Sequence, residues 1–206
     1  FWLENVDGRA SFSRSTTISV RGAAGVEYVD AIDIDGDGDL DALSASQIDG
    51  VFAWYENLDG RGSFGDQNVI DRVVLNAIYI RGADLDGDSD ADVLVAAQAD
   101  STVAWYENSI TTASGGVKVS TFSAHTIATD VDFATSVYAA DIDGDGDVDV
   151  LSSSFTEGIT WHVNDGSETF SAATVDSNVQ GAQTVIAADV DGDDDMDILS
   201  ASQNDN

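Results

Sequence analysis

The chain has 206 residues and contains no cysteine and no proline. Without thiols there is no disulfide framework, no thiolate nucleophile and no sulfur-ligated metal site. Without proline there are no rigid turns and no cis-prolyl bonds, so turns must rely on Gly, Asp and Asn. Basic residues are scarce, 7 Lys and Arg against 39 Asp and Glu, for a net charge of −32. A surface of that sign repels nucleic acid and anionic membrane, which both require cationic patches. Only two histidines and one methionine are present. No apolar run approaches the roughly 20 residues of a membrane-spanning helix. No signal peptide is visible, and Phe1 is not an initiator Met, so the chain reads as processed or as a segment of something longer.

What the chain has in abundance is Asp, and its placement is regular. The pattern Asp-x-Asp-x-Asp-x-Asp-x-Asp occurs four times. The copies are Asp33, Asp35, Asp37, Asp39 and Asp41; Asp84, Asp86, Asp88, Asp90 and Asp92; Asp141, Asp143, Asp145, Asp147 and Asp149; and Asp189, Asp191, Asp193, Asp195 and Asp197. Adjacent unit charges about 4 Å apart repel by roughly 1 kcal/mol in water and about 4 kcal/mol at an intermediate dielectric. Five carboxylates in nine residues therefore call for a cation.

Counting the first Asp as position 1, carboxylates are offered at positions 1, 3, 5 and 9, and a backbone carbonyl at position 7. Gly38 at position 6 allows the bend that wraps the loop. An all-oxygen, flexible cage favours Ca²⁺ over Mg²⁺, and the lack of nearby His or Cys disfavours softer metals. Up to four Ca²⁺ are expected, one per loop, with modest affinities on the order of 10⁻⁴ to 10⁻³ M. The second and fourth loops carry Ser89 and Asp194 at position 6 and are expected to bind more weakly. An EF-hand is excluded. It needs Glu at position 12, which here is Ser44, Val95, Ser152 and Ser200, and it needs flanking helices.

The loops recur at a period of about 50 residues, beginning at 33, 84, 141 and 189. Trp2, Trp54, Trp105 and Trp161 keep the same beat, each followed three residues later by Asn, as do Phe12, Phe64, Phe122 and Phe170. Between the loops lie runs of 5 to 8 residues rich in β-branched, aromatic and small apolar side chains, separated by Asp-Gly turns such as Asp59-Gly60. Helical periodicity is absent. Four short antiparallel strands per unit describe a blade, and the chain is expected to be an all-β β-propeller or a segment of a larger one. Blades are expected at about 24–72, 75–128 and 132–176, with a split blade from 1–14 and 180–206. The two halves could close a four-bladed ring, pair between copies, or mark a piece of a longer array, the reading favoured here.

These residues resemble the FG-GAP and VCBS-like repeats of the integrin alpha-subunit propeller and of many secreted proteins. That resemblance implies that calcium braces the hairpin between the first two strands of each blade, with the loop Asp residues as ligands. It also implies an extracellular, non-catalytic role in structure, adhesion or protein interaction. The partner would be an extracellular protein or glycan, or other copies of the chain. A lectin-like carbohydrate binder is the alternative, and a polysaccharide-degrading enzyme is the weakest reading. Neither His125 nor His162 has a Ser or Cys partner signalled nearby in sequence. Ser109 to Gly116, extra to the second unit, reads as an uncharged surface loop.

Overall fold

The computed structural model describes residues 1–13, 17–18, 23–72 and 76–204. The expected limits at 14, 75 and 206 lie outside the described residues. Every regular element among those described is a strand. Strands β1 (Val26–Ile32), β2 (Asp41–Ser46), β3 (Val51–Tyr55) and β4 (Asn68–Asp71) form the first antiparallel sheet, in chain order. The second contains β5 (Ala77–Ala83), β6 (Asp92–Ala97), β7 (Thr102–Thr112) and β8 (Lys118–Ala128). The third contains β9 (Ala134–Ala140), β10 (Asp149–Ser154), β11 (Gly158–Asn164) and β12 (Phe170–Asp176). A two-stranded sheet follows, β13 (Ala182–Ala188) with β14 (Asp197–Ser202). Residues 1–13 contain a turn closed by an isolated Asn5–Phe12 bridge, the counterpart of the isolated Asn57–Phe64 bridge between β3 and β4.

The chain is thus a series of propeller blades, and its core lies in the seams between them. Leu43, Phe52 and Trp54 of the first blade pack against Ile80, Val93, Val95 and Tyr106 of the second. Leu94, Val103 and Trp105 meet Val137 and Val150 of the third, and Leu151 and Ile159 meet Val185. A blade in such a stack has two covered faces. All of Val51–Tyr55 is therefore buried, and alternation disappears from that strand. Each large apolar side chain so buried contributes about 1.5–3 kcal/mol, enough for the seams to order the stack.

Inner strands crowd one another, and their side chains show it. A Cβ on Gly82 of β5 would fall 2.4 Å from the Ile32 side chain of β1, so only glycine fits that approach. On the same two strands, Tyr28 and Tyr79 stack at 3.8 Å and share a 2.8 Å hydroxyl hydrogen bond. Arg81 lies 4.3 Å from the Tyr138 ring centre, linking β5 to β9.

The extra segment of the second unit is not a loop. Ser109–Thr112 lengthens β7, pairing with Lys118–Thr121 of β8 from Ser109↔Thr121 to Thr112↔Lys118. Thr, Ile and Val at these positions favour a strand, and only 113–117 form the turn. The long hairpin reaches back over the first blade. Ser120 Oγ donates to the Ile34 carbonyl at 3.0 Å, and the Lys118 ammonium donates to the Gly36 carbonyl.

Candidate metal centres

Each Asp-rich loop connects the first and second strands of its blade, as the spacing predicts. Its shape comes from carboxylates that accept backbone N–H groups within the loop. In the first loop, Gly38 N–H donates to Asp33 Oδ2 at 2.8 Å, Asp37 N–H to Asp35 Oδ1 at 3.1 Å, and Asp39 N–H to Asp37 Oδ1 at 2.9 Å. The second loop repeats these bonds with Ser89, Asp88 and Asp90 as donors, the third with Gly146, Asp145 and Asp147. Two residues per loop must turn left-handed. Position 4 is always Gly, with φ from 70 to 80°, and position 6 is Gly38, Ser89, Gly146 or Asp194. Ser89 at φ 76° and Asp194 at φ 70° adopt the conformation expected of them.

Position 9 opens the second strand of each blade, and it is the hub. Asp41 is almost fully buried and accepts from Ile34 N–H at 2.9 Å and from Asn57 N–H at 2.8 Å. Asp92 does the same with Leu85 and Asn108, both at 2.8 Å, and Asp149 with Ile142 at 3.1 Å and Asn164 at 2.7 Å. Asp197 is exposed and accepts from Val190 N–H at 3.0 Å. Asn57, Asn108 and Asn164 of the Trp-x-x-Asn runs therefore each lock the loop of their own blade. The side-chain amide also reaches the preceding blade: Asn108 Nδ2 donates to the Ile34 carbonyl at 2.8 Å. Sequence reading marked these Asn residues as landmarks but gave them no task. Their fixed register with the loops was the available signal.

The ligand atoms converge. One carboxylate oxygen from each of positions 1, 3 and 9 lies within 4.8 Å of the others in the second, third and fourth loops (Asp84, Asp86, Asp92; Asp141, Asp143, Asp149; Asp189, Asp191, Asp197). In the first loop the grouped residues are Asp33, Asp35 and Asp37. Position 7 side chains turn away, which leaves that residue its carbonyl. Asp90 accepts from Ile110 N–H at 2.8 Å, and Asp39 and Asp147 lie against Gly60 and Gly166. Asp88, Asp145 and Asp193 at position 5 each accept the position 7 N–H.

Burial dominates the electrostatics. It raises the Asp41 carboxyl to about 6 and that of Asp92 to about 7, and it pushes Asp149, Asp35 and Asp86 upward as well. Neighbouring Asp charges add to the rise at Asp41 and Asp92. Each cluster is an all-oxygen donor set whose charge is costly without a counter-ion. The residues fit a hard dication held by positions 1 and 3 together with position 9, or with position 5 in the first loop.

An FG-GAP-like repeat profile matches three overlapping segments, 33–95, 84–152 and 143–200. The chain belongs to the FG-GAP-like repeat family. No curated protein matches it. The three matched segments run from one Asp loop to the strand after the next, so the loop and its seam are the repeating elements of this FG-GAP-like chain.

Its two histidines both have partners that the sequence did not signal. His162 Nε2 lies 2.9 Å from Ser152 Oγ, a pair formed across adjacent strands. Both residues are fully buried, and burial drives the imidazole down to about 4. Such a pair is neutral and shielded from any substrate. It occupies the place of the Ser44–Tyr55 hydroxyl pair of the first blade. His125 lies 2.8 Å from Glu107 and stacks on Trp105. Trp54 and Trp105 are themselves buried in the seams, which removes them as sugar-stacking platforms.

Proposed function

We propose that this FG-GAP-like chain is a calcium-braced extracellular scaffold with a structural, adhesive or protein-interaction role. One observation carries the reading: a carboxylate cluster recurs in all four Asp loops, and in the three four-stranded blades the position 9 Asp ties the loop to the Trp-x-x-Asn strand. Bound Ca²⁺ would neutralise the cluster and fix the hairpin between the first two strands. The chain's own residues do the rest. Position 9 joins loop to strand, and the side chains of Asn108 and Asn164 join their blades to the loop of the blade before. Filling four loops would still leave a strongly acidic surface, suited to partners that carry cationic groups or bridging calcium.

The test is binding, with calcium and with chelator, to immobilised extracellular-matrix proteins, to a glycan array and to the chain itself. The scaffold reading predicts calcium-dependent binding to protein, or calcium-dependent self-association. Saturable glycan binding without either would replace it with the lectin reading, and turnover of an acidic polysaccharide would overturn both.

A further inference from the structure

One cluster of ligating side chains lies outside the Asp loops and differs from them in chemistry. Glu107 and His125 lie on neighbouring strands of the second blade, β7 and β8. Glu168 lies in the turn between β11 and β12 of the third. One ligand atom from each comes within 4.8 Å of the others. The three residues meet at the seam, where Glu168 also lines a cleft between the second and third Asp loops.

The site is organised before any ion arrives. His125 stands opposite Trp105 in the β7–β8 ladder, with ring centres 4.7 Å apart and planes 23° from parallel. Glu107, two residues along the same face, takes the imidazole at 2.8 Å. The ring is therefore fixed by stacking on one side and a hydrogen bond at its edge. Two carboxylates and one imidazole thus converge on one point. No Lys or Arg forms an ion pair with either Glu among the described residues.

The donor set decides the metal. An imidazole nitrogen with two carboxylates suits a divalent ion of borderline softness such as zinc, with an open position left for water. Calcium prefers all-oxygen cages and gains little from nitrogen. We infer that Glu107, His125 and Glu168 form a separate transition-metal site that bridges the second and third blades. Because its ligands come from both blades, a bound ion would clamp the seam. It rests on side chains of this one seam: Val163 stands in the third blade where Glu107 stands in the second, and Ala173 stands opposite Trp161 where His125 stands opposite Trp105.

The experiment uses the full chain with calcium in large excess, so that the Asp loops are filled. Zinc is titrated by calorimetry, and Co²⁺ is added in parallel as a quencher of tryptophan fluorescence, since Trp105 stacks on the ligand ring. One zinc per chain is expected, with quenching on cobalt binding. His125→Gln and Glu168→Gln should each weaken zinc at least ~10-fold and reduce the quenching, and Glu168→Gln should leave melting in calcium unchanged. Glu168 sits on an exposed turn, so its variant decides the matter if His125→Gln fails to fold. Absence of zinc binding to the calcium-loaded wild type, or wild-type affinity in Glu168→Gln, would overturn the assignment.

Discussion

Replacing Asp92 puts the most weight on the hub of the blade. Its buried carboxylate accepts two backbone hydrogen bonds, from Leu85 and Asn108, and it belongs to the second ligand cluster. Hydrogen bonds to a charged group contribute about 1.5–3 kcal/mol each, and a buried donor left alone costs about 1–3 kcal/mol. Asp92→Ala strands both donors and should cost about 3–6 kcal/mol. Asp92→Asn keeps one acceptor oxygen but turns its NH₂ toward the other N–H, so it should cost about half as much. For a chain of this size each kcal/mol lowers the melting temperature by about 2–4 °C. The expected drop is therefore about 6–24 °C for Ala and roughly half that for Asn. Differential scanning calorimetry in saturating calcium reads it. Asp197→Asn, at an exposed position with one backbone donor, should cost less than Asp92→Asn. If Asp92→Asn melts with wild type in calcium, position 9 does not join loop to strand as described.

Three further outcomes follow from other residues. Burial raises the Asp41 and Asp92 carboxyls in the metal-free fold, so between about pH 4 and 7 that fold holds protons which the unfolded chain has already lost. The metal-free protein should thus lose stability as pH rises through this window. The melting difference between calcium-loaded and chelated protein should grow from pH 5 to pH 8, and a constant difference would refute this. His162 has the opposite sign. Its folded value is depressed to about 4, so its contribution is complete above pH 6.5 and is lost as pH falls toward 4; melting of calcium-loaded His162→Gln should fall less over that range than wild type. Finally, Ser89 holds φ 76° without being Gly, and Ser89→Gly should stabilise by up to about 1 kcal/mol and tighten calcium at the second loop, measured by denaturant melts and calcium titration.

What the sequence revealed was what repeats or alternates. Asp at every second position defined the loops, and the Trp and Phe landmarks defined the blades. Gly38 marked the left-handed turn. The missing parts depend on residues far apart in the chain. The Asn57–Asp41 and Asn108–Asp92 locks join the ends of adjacent strands across a hairpin, so the fixed spacing of Asn and loop gains a meaning only once that pairing is known. The glycines at position 4 were in plain view, but only the folded backbone shows that they too must turn left-handed. The Ser152–His162 pair arises from β10–β11 register, which sets residues ten apart side by side. The β7–β8 extension escaped because Ser, Thr and Gly read as a loop when the partner strand is not yet placed.

On the proposed function, cation neutralisation of the Asp clusters holds the blades in shape. The direct measurement is a calcium titration of chelated protein, following melting temperature together with bound calcium. The account predicts more than one bound ion per chain and a melting temperature that climbs as the loops fill. A melting temperature indifferent to calcium, with no ion retained, would contradict it.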